Sequence, residues 1–431
     1  MKRILIVLIS AFVCAHLCAE QTRYVGGDIS MLPLYEQHNS PYKDVYGNNI
    51  DNLLTWFMSD CGWDTFRVRI FVNPDKTDPS VSQDLDYVKA LGKRIKDAGA
   101  YFMLDFHYSD TWVDALHIQA PAAWKGSDDA AMAKHIGDYT REVLTALKNA
   151  EATPDFVQVG NEIMYGLCDI SVSPYEKDGD NWTGYLGLLK AGCEAVREQC
   201  PKAQIIIHTD RPANKEYNKF YYQKLVDGGV DFDIIGLSYY PFWHVYLNDL
   251  TKALKTLATD FPTKRVHLVE CAYNFQYWPS SGVNYDTQNV WECSKAGQYR
   301  FVKDLVDALL PLTNVDGLSY WFPEEAGNGD DTNWNTSKGS VLETWINRGF
   351  WNPAQSSSGH AINCVNPPVS GQSPAEICAP YYMGKFVGFT PQGIDELKNE
   401  NTTPANGKKI ANGLVLIERN GNLYTADGKT L

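Results

Sequence analysis

Three neighbouring stretches decide the fold: TFRVRIF at 65–71, LDYVKALGKRIKDA at 85–98 and YFMLDFH at 101–107. The outer two are short runs rich in apolar, β-branched and aromatic residues, which is typical of buried strands. The middle stretch repeats apolar residues at helical spacing, with Asp84 placed to begin a helix and Gly99 to end it. A strand, a helix and another strand in this order predict two parallel strands joined by a helical crossover.

Apolar runs of this kind alternate with helical patterns up to about residue 350. Eight runs are predicted as strands: Tyr24–Ser30, Thr65–Phe71, Tyr101–His107, Phe156–Gly160, Gln204–His208, Asp233–Tyr239, Val266–Glu270 and Gly317–Trp321. Eight alternating units predict an α/β protein, a closed (β/α)8 TIM barrel with long loops at its carboxyl face. The alternative, an open doubly wound sheet, needs a GxGxxG turn after its first strand, which Gly26-Gly27-Asp28 does not match.

The ends of the chain differ from its middle. Residues 1–19 read as an export signal, with Lys2 and Arg3 before an apolar run that is too short to span a bilayer. We therefore expect a secreted or cell-surface protein without an integral membrane span. A lipid anchor on Cys14 or Cys18 is the less favoured alternative, because each cysteine follows a bulky residue.

The barrel domain is predicted over 20–398 and a small tail over 399–431. Within the tail, 401–407 reads as a linker, and 414–425 reads as a β-hairpin with a tight turn at Asn420-Gly421. The tail is either a separate element for sorting or docking, or a ribbon packed on the barrel.

Charge and cysteine content limit the partners. The net charge of −14 argues against nucleic acid and anionic membrane surfaces, and it suits a neutral substrate. We expect the protein to be a monomer. An exported protein can oxidise its cysteines. Cys364 and Cys378 bracket a loop rich in Pro, Ser and Gly and form the best candidate pair, whereas Cys271 is expected to stay reduced at a strand end. No Cys/His cluster suggests zinc.

Two glutamates end predicted strands. Asn161 and Glu162 end the fourth, and Glu270 ends the seventh. In a (β/α)8 barrel such residues form the active site. Glycoside hydrolysis needs two carboxyls flanking the bond, one protonated and one ionised, and a separation of roughly 5 Å gives retention through a covalent intermediate. The pair therefore predicts a retaining glycosidase.

Neighbouring residues have expected roles in that chemistry. Asn161 can hydrogen-bond the sugar 2-hydroxyl, and Glu162 needs a raised pKa to donate a proton. Arg69 and a tyrosine hydroxyl from the sixth strand are expected to keep Glu270 ionised. Trp321, at the end of the eighth strand, is the candidate sugar platform.

Other polar and aromatic residues near strand ends have structural interpretations. Arg67 is expected in an ion-pair set that closes the barrel, and Asp105 can pair with an arginine. His107 is either a satisfied core histidine or a cleft residue. Trp112 and Trp243 are either loop anchors or sugar contacts.

Seven stretches between residues 26 and 351 carry a family resemblance. They are GGDIS at 26–30, FRVRIFVNP at 66–74, LDFHYSDTWVD at 104–114, VQVGNEI at 157–163, SYYPFWH at 238–244, LVECAY at 268–273 and YWFP at 320–323. Together they resemble glycoside hydrolase family 53, the arabinogalactan endo-β-1,4-galactanases. DFHYSDTW and SYYPFWH are long and specific, whereas VGNE alone indicates only the wider clan of such barrels.

The resemblance implies an endo-acting, retaining enzyme that hydrolyses internal β-1,4-galactosidic bonds in the (arabino)galactan side chains of pectin. It implies Glu162 as acid/base and Glu270 as nucleophile. It also implies that eight residues bind the substrate: Asp28, Arg69, His107, Trp112, Asn161, Tyr240, His244 and Trp321. No cofactor is required, because an acid/base and a nucleophile suffice.

The chain departs from the family at two strand ends. The seventh strand ends in VECAY where the family usually has ETxY, which puts Cys271 beside the nucleophile. The eighth reads YWFPEE, with Phe322 where a glutamate is usual and Glu324 two residues later. Some bacterial members bind calcium after the seventh strand. Here the loop 274–289 has Asp286 as its one acid, which does not favour structural calcium.

Two alternative functions remain open. The first is another enzyme of the clan, such as an endo-mannanase or a cellulase. The second is a surface glycan-binding protein that has lost catalysis, against which the presence of both glutamates argues.

Overall fold

The computed structural model describes residues 22–37, 42–244, 246–275, 290–325, 348–352, 363–364, 378–390, 406–411, 414–419 and 422–425. The chain divides into two compact units, Met1–Thr390 and Pro391–Leu431. The predicted export signal lies outside the described residues, so it stays a prediction.

Eight parallel strands of the first unit close into a barrel. They are β1 (Tyr24–Asp28), β2 (Thr65–Ile70), β3 (Tyr101–Phe106), β4 (Phe156–Val159), β5 (Gln204–Thr209), β6 (Ile234–Tyr239), β7 (Arg265–Cys271) and β8 (Val315–Trp321). Each strand pairs with its neighbours in chain order, and β8 closes onto β1 with Tyr24 opposite Gly317 and Asp28 opposite Trp321. The predicted TIM barrel is confirmed.

Helices follow the strands. They are α1 (Leu53–Cys61), α2 (Leu85–Asp97), α3 (Asp129–Asn149), α4 (Trp182–Gln199), α5 (Lys215–Asp227), α6 (Leu247–Asp260), α7 (Lys295–Leu309) and α8 (Ala379–Met383). A six-residue helix, Leu32–Gln37, also follows β1. Short strand pairs join Tyr42–Lys43 to Asn49–Ile50, Gly166–Leu167 to Ile170–Ser171, and Trp351–Asn352 to Asn363–Cys364. Among the described helices, none combines the length and apolarity needed to cross a membrane.

Local sequence explains why these helices form and why they cover the barrel. Asp84 caps α2 by accepting a hydrogen bond from the amide of Tyr87, and Asp128 caps α3 by accepting one from the amide of Ala131. Val88, Leu91 and Ile95 lie on one face of α2 and are buried. Helical periodicity therefore places an apolar stripe against the sheet.

The Gly26-Gly27 pair serves close packing of the barrel. A Cβ atom on Gly26 would lie 1.5 Å from the carbonyl oxygen of Thr65, the first residue of β2. Only glycine allows β1 to approach β2 so closely. The glycines that failed to match a phosphate-binding turn are thus explained by closure of the sheet.

The second unit contains three antiparallel strands, β9 (Asn406–Ala411), β10 (Leu414–Arg419) and β11 (Asn422–Thr425). Arg419 pairs with Asn422, which is the antiparallel strand pairing that the hairpin prediction requires. Residues 420–421 themselves lie outside the described residues. β9 begins at Asn406, inside the segment predicted as a linker.

The cysteines of the described barrel are mostly buried. Cys168, Cys193, Cys200 and Cys271 are free thiols, in agreement with the expectation that Cys271 stays reduced. The side chain of Cys364 lies outside the described residues, so the predicted bridge to Cys378 remains a prediction.

Candidate active site

Glu162 stands just beyond β4 on a turn with an uncommon backbone conformation. Its φ is 49° and that of Gly160 is 92°, both in the left-handed region. A Cβ atom on Gly160 would lie 2.7 Å from Cγ2 of Ile163, so the turn requires glycine there. A non-glycine residue held in this region costs about 1–3 kcal/mol, and such strain clusters at functional sites.

Glu270 reaches the same place through a bulge in the sheet. The register between β6 and β7 pairs Leu237 with Leu268 and then shifts, so that Ser238 lies beside Glu270 rather than Val269. A β-bulge of this kind re-aims side chains. Here it turns the carboxyl of Glu270 towards the hydroxyl of Ser238.

The two predicted catalytic carboxyls therefore meet at one serine. Ser238 Oγ donates a hydrogen bond to Glu162 Oε1 at 2.5 Å and lies 3.4 Å from Glu270 Oε2. Two oxygens at these distances from a common atom are at most 5.9 Å apart. This upper limit fits the separation of roughly 5–5.5 Å of retaining glycosidases and falls below the 6.5–9.5 Å of inverting ones.

A cation and a phenol hold Glu270. Arg67 Nη1 lies 3.0 Å from Oε1, and the Tyr240 hydroxyl donates to Oε2 at 2.8 Å. Burial raises the pKa of Glu270, while Arg67 and the Tyr240 hydrogen bond oppose that shift by stabilising the carboxylate. The expected tyrosine contact is present, but the expected arginine was wrong: the cation beside Glu270 is Arg67 and not Arg69.

The groups that hydrogen-bond to Glu162 are neutral. Its main-chain amide faces His208 Nδ1 at 3.3 Å, and His208 Nε2 lies 2.8 Å from Ser238 Oγ. Because Nδ1 faces a donor, His208 is assigned as the neutral tautomer with its proton on Nε2. Burial, and after it the positive charge of Arg67, lower the pKa of His208 well below its usual value. A chain of hydrogen bonds thus runs from His208 through Ser238 to Glu162.

The two carboxyls consequently differ in their readiness to ionise. Burial and the negative charge of Glu270 raise the pKa of Glu162 well above its usual value, and Asp210 adds to the shift. Arg67 lowers the pKa of Glu270, because its Nη1 lies 3.0 Å from Oε1 of that carboxyl. It makes no such contact with Glu162. Glu270 is therefore the first of the two to lose its proton, and Glu162 is the one that keeps it.

Arg67 is the centre of a buried polar network. Its guanidinium contacts Asp28 Oδ2 at 2.7 Å, Asp105 Oδ2 at 2.8 Å and Asn161 Oδ1 at 2.8 Å, in addition to Glu270. The predicted ion-pair set is present, and Asp105 pairs with an arginine as expected. Glu270, one of the two predicted catalytic carboxyls, contacts Arg67 as well, so the network also positions Glu270.

Predicted substrate residues on β1 and β2 and after β3 lie around this network. Asp28 is buried and accepts hydrogen bonds from Ser30 and Arg67. The Arg69 guanidinium stacks over the ring of Trp112, 4.4 Å from its centroid. His107 is fully buried, and its Nδ1 accepts the amide of Val113 at 3.0 Å. His107 thus holds the loop that carries Trp112.

Of the remaining predicted substrate residues, His244 and Trp321 lie beside Tyr240. Asn161 lies elsewhere in the site. His244 Nδ1 accepts the Tyr240 amide at 3.1 Å, and burial followed by the charge of Arg211 lowers the pKa of His244 to about 3. The ring of Trp321 meets that of Tyr240 edge to face at 6.4 Å. Asn161 Nδ2 donates to Val113 O at 2.7 Å, which leaves its second N–H for a ligand.

Four residues of the site were not predicted to bind substrate or to take part in catalysis: Arg67, His208, Ser238 and Arg348. Ser238 and His208 end apolar strands, the same signal that identified the glutamates, but only the bulge explains their importance. Arg348 lies with its guanidinium 5.0 Å from the ring of Phe242 and 5.6 Å from that of Trp321. No strand-end signal marks Arg348, because it follows the long insertion after β8.

In the part of the chain that the structure describes, no three His, Cys, Asp or Glu residues form a group that could hold a metal ion. Residues 276–289, most of the loop considered for calcium, lie outside that part.

Glu324 is the acid that stands two residues after the position where the family usually has a glutamate. It is fully buried, and its carboxylate accepts a hydrogen bond from the amide of Met31 at 2.9 Å.

Comparisons with known proteins identify the family of the chain. Residues 24–363 match the family model for glycosyl hydrolase family 53. An uncharacterized protein in the bgaB 5′ region of Niallia circulans is 34% identical over 73% of this chain and 89% of its own length. The arabinogalactan endo-beta-1,4-galactanase of Cellvibrio japonicus is 33% identical over 76% of this chain and 86% of its own. The solved family 53 catalytic domain of Ignisphaera aggregans is 27% identical, with a TM-score of 0.67 over 79% of this chain and 94% of that one.

Proposed function

Because the chain belongs to glycosyl hydrolase family 53, we propose that it is a secreted, retaining endo-β-1,4-galactanase acting on (arabino)galactan side chains of pectin. Glu162 is the acid/base and Glu270 is the nucleophile. The observation that carries the proposal is the meeting of these two carboxyls at Ser238, within 5.9 Å of each other.

In the first step the Glu270 carboxylate attacks the anomeric carbon and the bond from that carbon to the leaving oxygen breaks. Glu162 gives its proton to that oxygen, so the shortened galactan leaves as an alcohol. Ser238 occupies Oε1 of Glu162, which leaves Oε2 to carry the proton. Arg67 and Tyr240 keep Glu270 ionised and ready to attack.

In the second step water hydrolyses the glycosyl ester. Esterification removes the negative charge of Glu270, and with it one of the causes that raise the pKa of Glu162. Glu162 then accepts a proton from water, whose oxygen attacks the anomeric carbon while the bond to Glu270 breaks. Two displacements at one carbon return the original configuration.

The substrate and the location rest on different observations. The Cellvibrio japonicus relative is named for arabinogalactan and β-1,4 galactan hydrolysis. A net charge of −14 suits a neutral polysaccharide. Export rests on the charged and apolar pattern of the first residues, and a monomer is the simplest form that has a complete carboxyl pair in one chain.

The test is hydrolysis of β-1,4-galactan followed by proton NMR during the first minutes. We expect the β-anomer of the new reducing ends to appear first and to mutarotate afterwards. Parallel assays on mannan and carboxymethylcellulose test other enzymes of the clan. Initial release of the α-anomer would contradict retention, and hydrolysis of either control polymer in preference to galactan would contradict the substrate.

A further inference from the structure

A buried acid in the loop after β8 has no part in the proposed mechanism. Glu324 is fully buried, although it stands only three residues beyond Trp321. Phe322, between them, has a left-handed φ of 69°, which is uncommon for a bulky residue. The Tyr42 hydroxyl donates a hydrogen bond to the Glu324 carbonyl at 2.7 Å. The strained turn thus precedes a carboxyl that is both buried and fixed.

The Glu324 carboxyl ties the last barrel strand to the first. Its Oε1 accepts the amide of Met31 at 2.9 Å, and Met31 follows β1 whereas Glu324 follows β8. Its Oε2 has no hydrogen-bond partner among the residues that the structure describes. Burial, and after it the charge of Asp28, raise the pKa of Glu324 well above its usual value. Glu324 is therefore a neutral acid that accepts through Oε1 and carries its proton on Oε2.

The charged and titratable groups around Glu324 lie on neighbouring segments. They are Asp28 on β1, Tyr35 and Tyr42 between β1 and α1, Arg69 on β2 and Tyr87 on α2. Arg69 is a cation, but the carboxylate oxygen nearest to it belongs to Asp28, 3.6 Å from Nη1. Glu324 therefore acts through its hydrogen bond to Met31 and not as the counter-ion of Arg69.

Met31 follows Ser30, and Ser30 holds Asp28. The amide and the hydroxyl of Ser30 both donate to Asp28 Oδ1, at 3.0 and 2.5 Å. The same hydroxyl oxygen accepts the Arg69 amide at 2.9 Å, and the Tyr87 hydroxyl donates to the Ser30 carbonyl at 2.6 Å. A displacement of Met31 consequently moves Ser30 and, with it, the carboxylate of Asp28.

Asp28 shares one nitrogen of Arg67 with the proposed nucleophile. Arg67 Nη1 lies 2.7 Å from Asp28 Oδ2 and 3.0 Å from Glu270 Oε1. Burial raises the pKa of Glu270, Arg67 opposes that shift, and the negative charges of Asp105 and Asp28 add to it. The position of Asp28 thus determines how strongly Arg67 stabilises the Glu270 carboxylate, and therefore how basic the nucleophile is.

We propose that Glu324 is a positioning residue that acts on the nucleophile from the loop after β8. It fixes Met31 and, through the residue before Met31, it keeps Asp28 on the guanidinium of Arg67. The inference rests on the proposed function, in which the carboxylate beside Arg67 attacks the sugar. It adds that closure of the rim between β8 and β1 adjusts the basicity of that carboxylate.

The experiment removes the acceptor and keeps the volume. Glu324→Leu cannot accept the Met31 amide, so Asp28 should loosen and Arg67 should turn more fully towards Glu270. Loss of a negative neighbour lowers the pKa of Glu270, so the acid limb of the kcat/KM profile on galactan should move to lower pH by about half a pH unit. The less basic carboxylate attacks more slowly, and kcat should fall about three- to tenfold.

Three further variants complete the design. Glu324→Gln keeps the acceptor and cannot carry a charge, so it should behave like the wild type. Ser30→Ala cuts the link beside Asp28 and leaves Glu324 in place, and it should move the acid limb in the same direction even if Glu324→Leu does not fold. Ser59→Ala is the matched control, because this exposed hydroxyl contacts only the neighbouring Asp60, at 2.6 Å, and it should change nothing.

Several outcomes would overturn the proposal. A merely structural Glu324 would lower the unfolding midpoint without moving the acid limb. An upward shift of the limb, or a Glu324→Gln variant that behaves like Glu324→Leu, would also contradict it. Carbon NMR titration of labelled glutamate carboxyls, assigned with Glu270→Gln, measures the Glu270 shift in Ser30→Ala without turnover. A wild-type enzyme that fails to hydrolyse galactan while this titration still shifts would contradict the proposed function alone.

Discussion

Two pairs of acids, one at each end of the barrel, have opposite surroundings. At the amino end, Asp155 accepts the amide of Phe102 at 2.8 Å and pairs with Lys96 at 2.6 Å. Asp233 accepts the amide of Ile205 at 2.8 Å, and Arg197 pairs with it at 3.0 Å. Each of these acids joins neighbouring strands and has a cation beside it.

At the carboxyl end, acids face each other. Glu162 and Glu270 share one serine, and the nearest cation contacts only Glu270. Bringing two carboxyls together opposes the ionisation of both. The comparison teaches that the residue type does not separate stabilising from functional acids in this barrel, whereas the charge and hydrogen-bond donors around each acid do.

The largest effect is expected when Glu270, the proposed nucleophile at the carboxyl end of the barrel, is replaced. Glu270→Gln keeps the shape and the Tyr240 contact but cannot form the ester, so kcat on galactan should fall by about 10⁴-fold or more. Glu292→Gln is the matched control, because Glu292 is exposed and pairs with Arg300 at 3.1 Å. Wild-type turnover by Glu270→Gln would show that the nucleophile lies elsewhere.

A smaller loss is expected at the other carboxyl, and it should depend on the leaving group. Glu162→Gln cannot protonate the departing sugar, so kcat/KM on galactan should fall by about 10²- to 10⁴-fold. A nitrophenyl galactobioside needs little protonation to leave, and its kcat/KM should fall much less. Equal losses on both substrates would argue against Glu162 as the acid.

The serine between the carboxyls should affect pH dependence more than rate. The Ser238 hydroxyl stabilises ionised Glu162, so Ser238→Ala should raise the pKa of Glu162 further. The acid form would then persist to higher pH, and the alkaline limb of the kcat/KM profile should move upwards. The maximum should fall by about tenfold or less. A downward shift of that limb would contradict the assignment of the acid.

The smallest effect, on stability alone, is expected at the amino end. Asp64 accepts the amide of Val25 at 2.9 Å, and among the described residues it has no salt-bridge partner. Burial raises its pKa to about 6. Because the folded form holds its proton more tightly, Asp64 lowers stability as the pH rises from about 4 to 6, by at most about 3 kcal/mol.

The Asp64→Asn variant keeps the acceptor and removes the charge. Its stability relative to the wild type, measured by urea unfolding, should therefore be greater at pH 7 than at pH 4, with activity retained. Asp97→Asn, an exposed acid paired with Lys93, is the control. A relative stability that does not change with pH would show that Asp64 does not titrate in this way.

Local patterns in the sequence were enough to predict the fold and the convergence of the two candidate carboxyls. Strand runs and cap residues such as Asp84 act over a few residues, and their effect does not depend on distant contacts. The strand-end rule then identified Glu162 and Glu270 because a closed barrel brings all carboxyl ends to one face. The bounds of the strands changed by no more than two residues.

Which residues contact the two carboxyls depends on the stagger and the register of the barrel strands, and the sequence does not show these. Arg67 and Arg69 are two residues apart on β2, so both point to the same face, and alternation alone cannot decide which one meets Glu270. The answer is set by the stagger of the strands. Ser238 joins the site only through the one-residue shift after Leu237, for which the sequence has no separate signal.

Closure of the ring also controls when this protein can act. β1 pairs with β2 on one side and with β8 on the other, so the ring is complete only when Val315–Trp321 is in place. A chain growing on the ribosome already has both glutamates before it has the strand that closes the sheet. We therefore expect nascent and truncated chains that end before residue 315 to be inactive, and turnover of the proposed galactan substrate to report the fully assembled barrel.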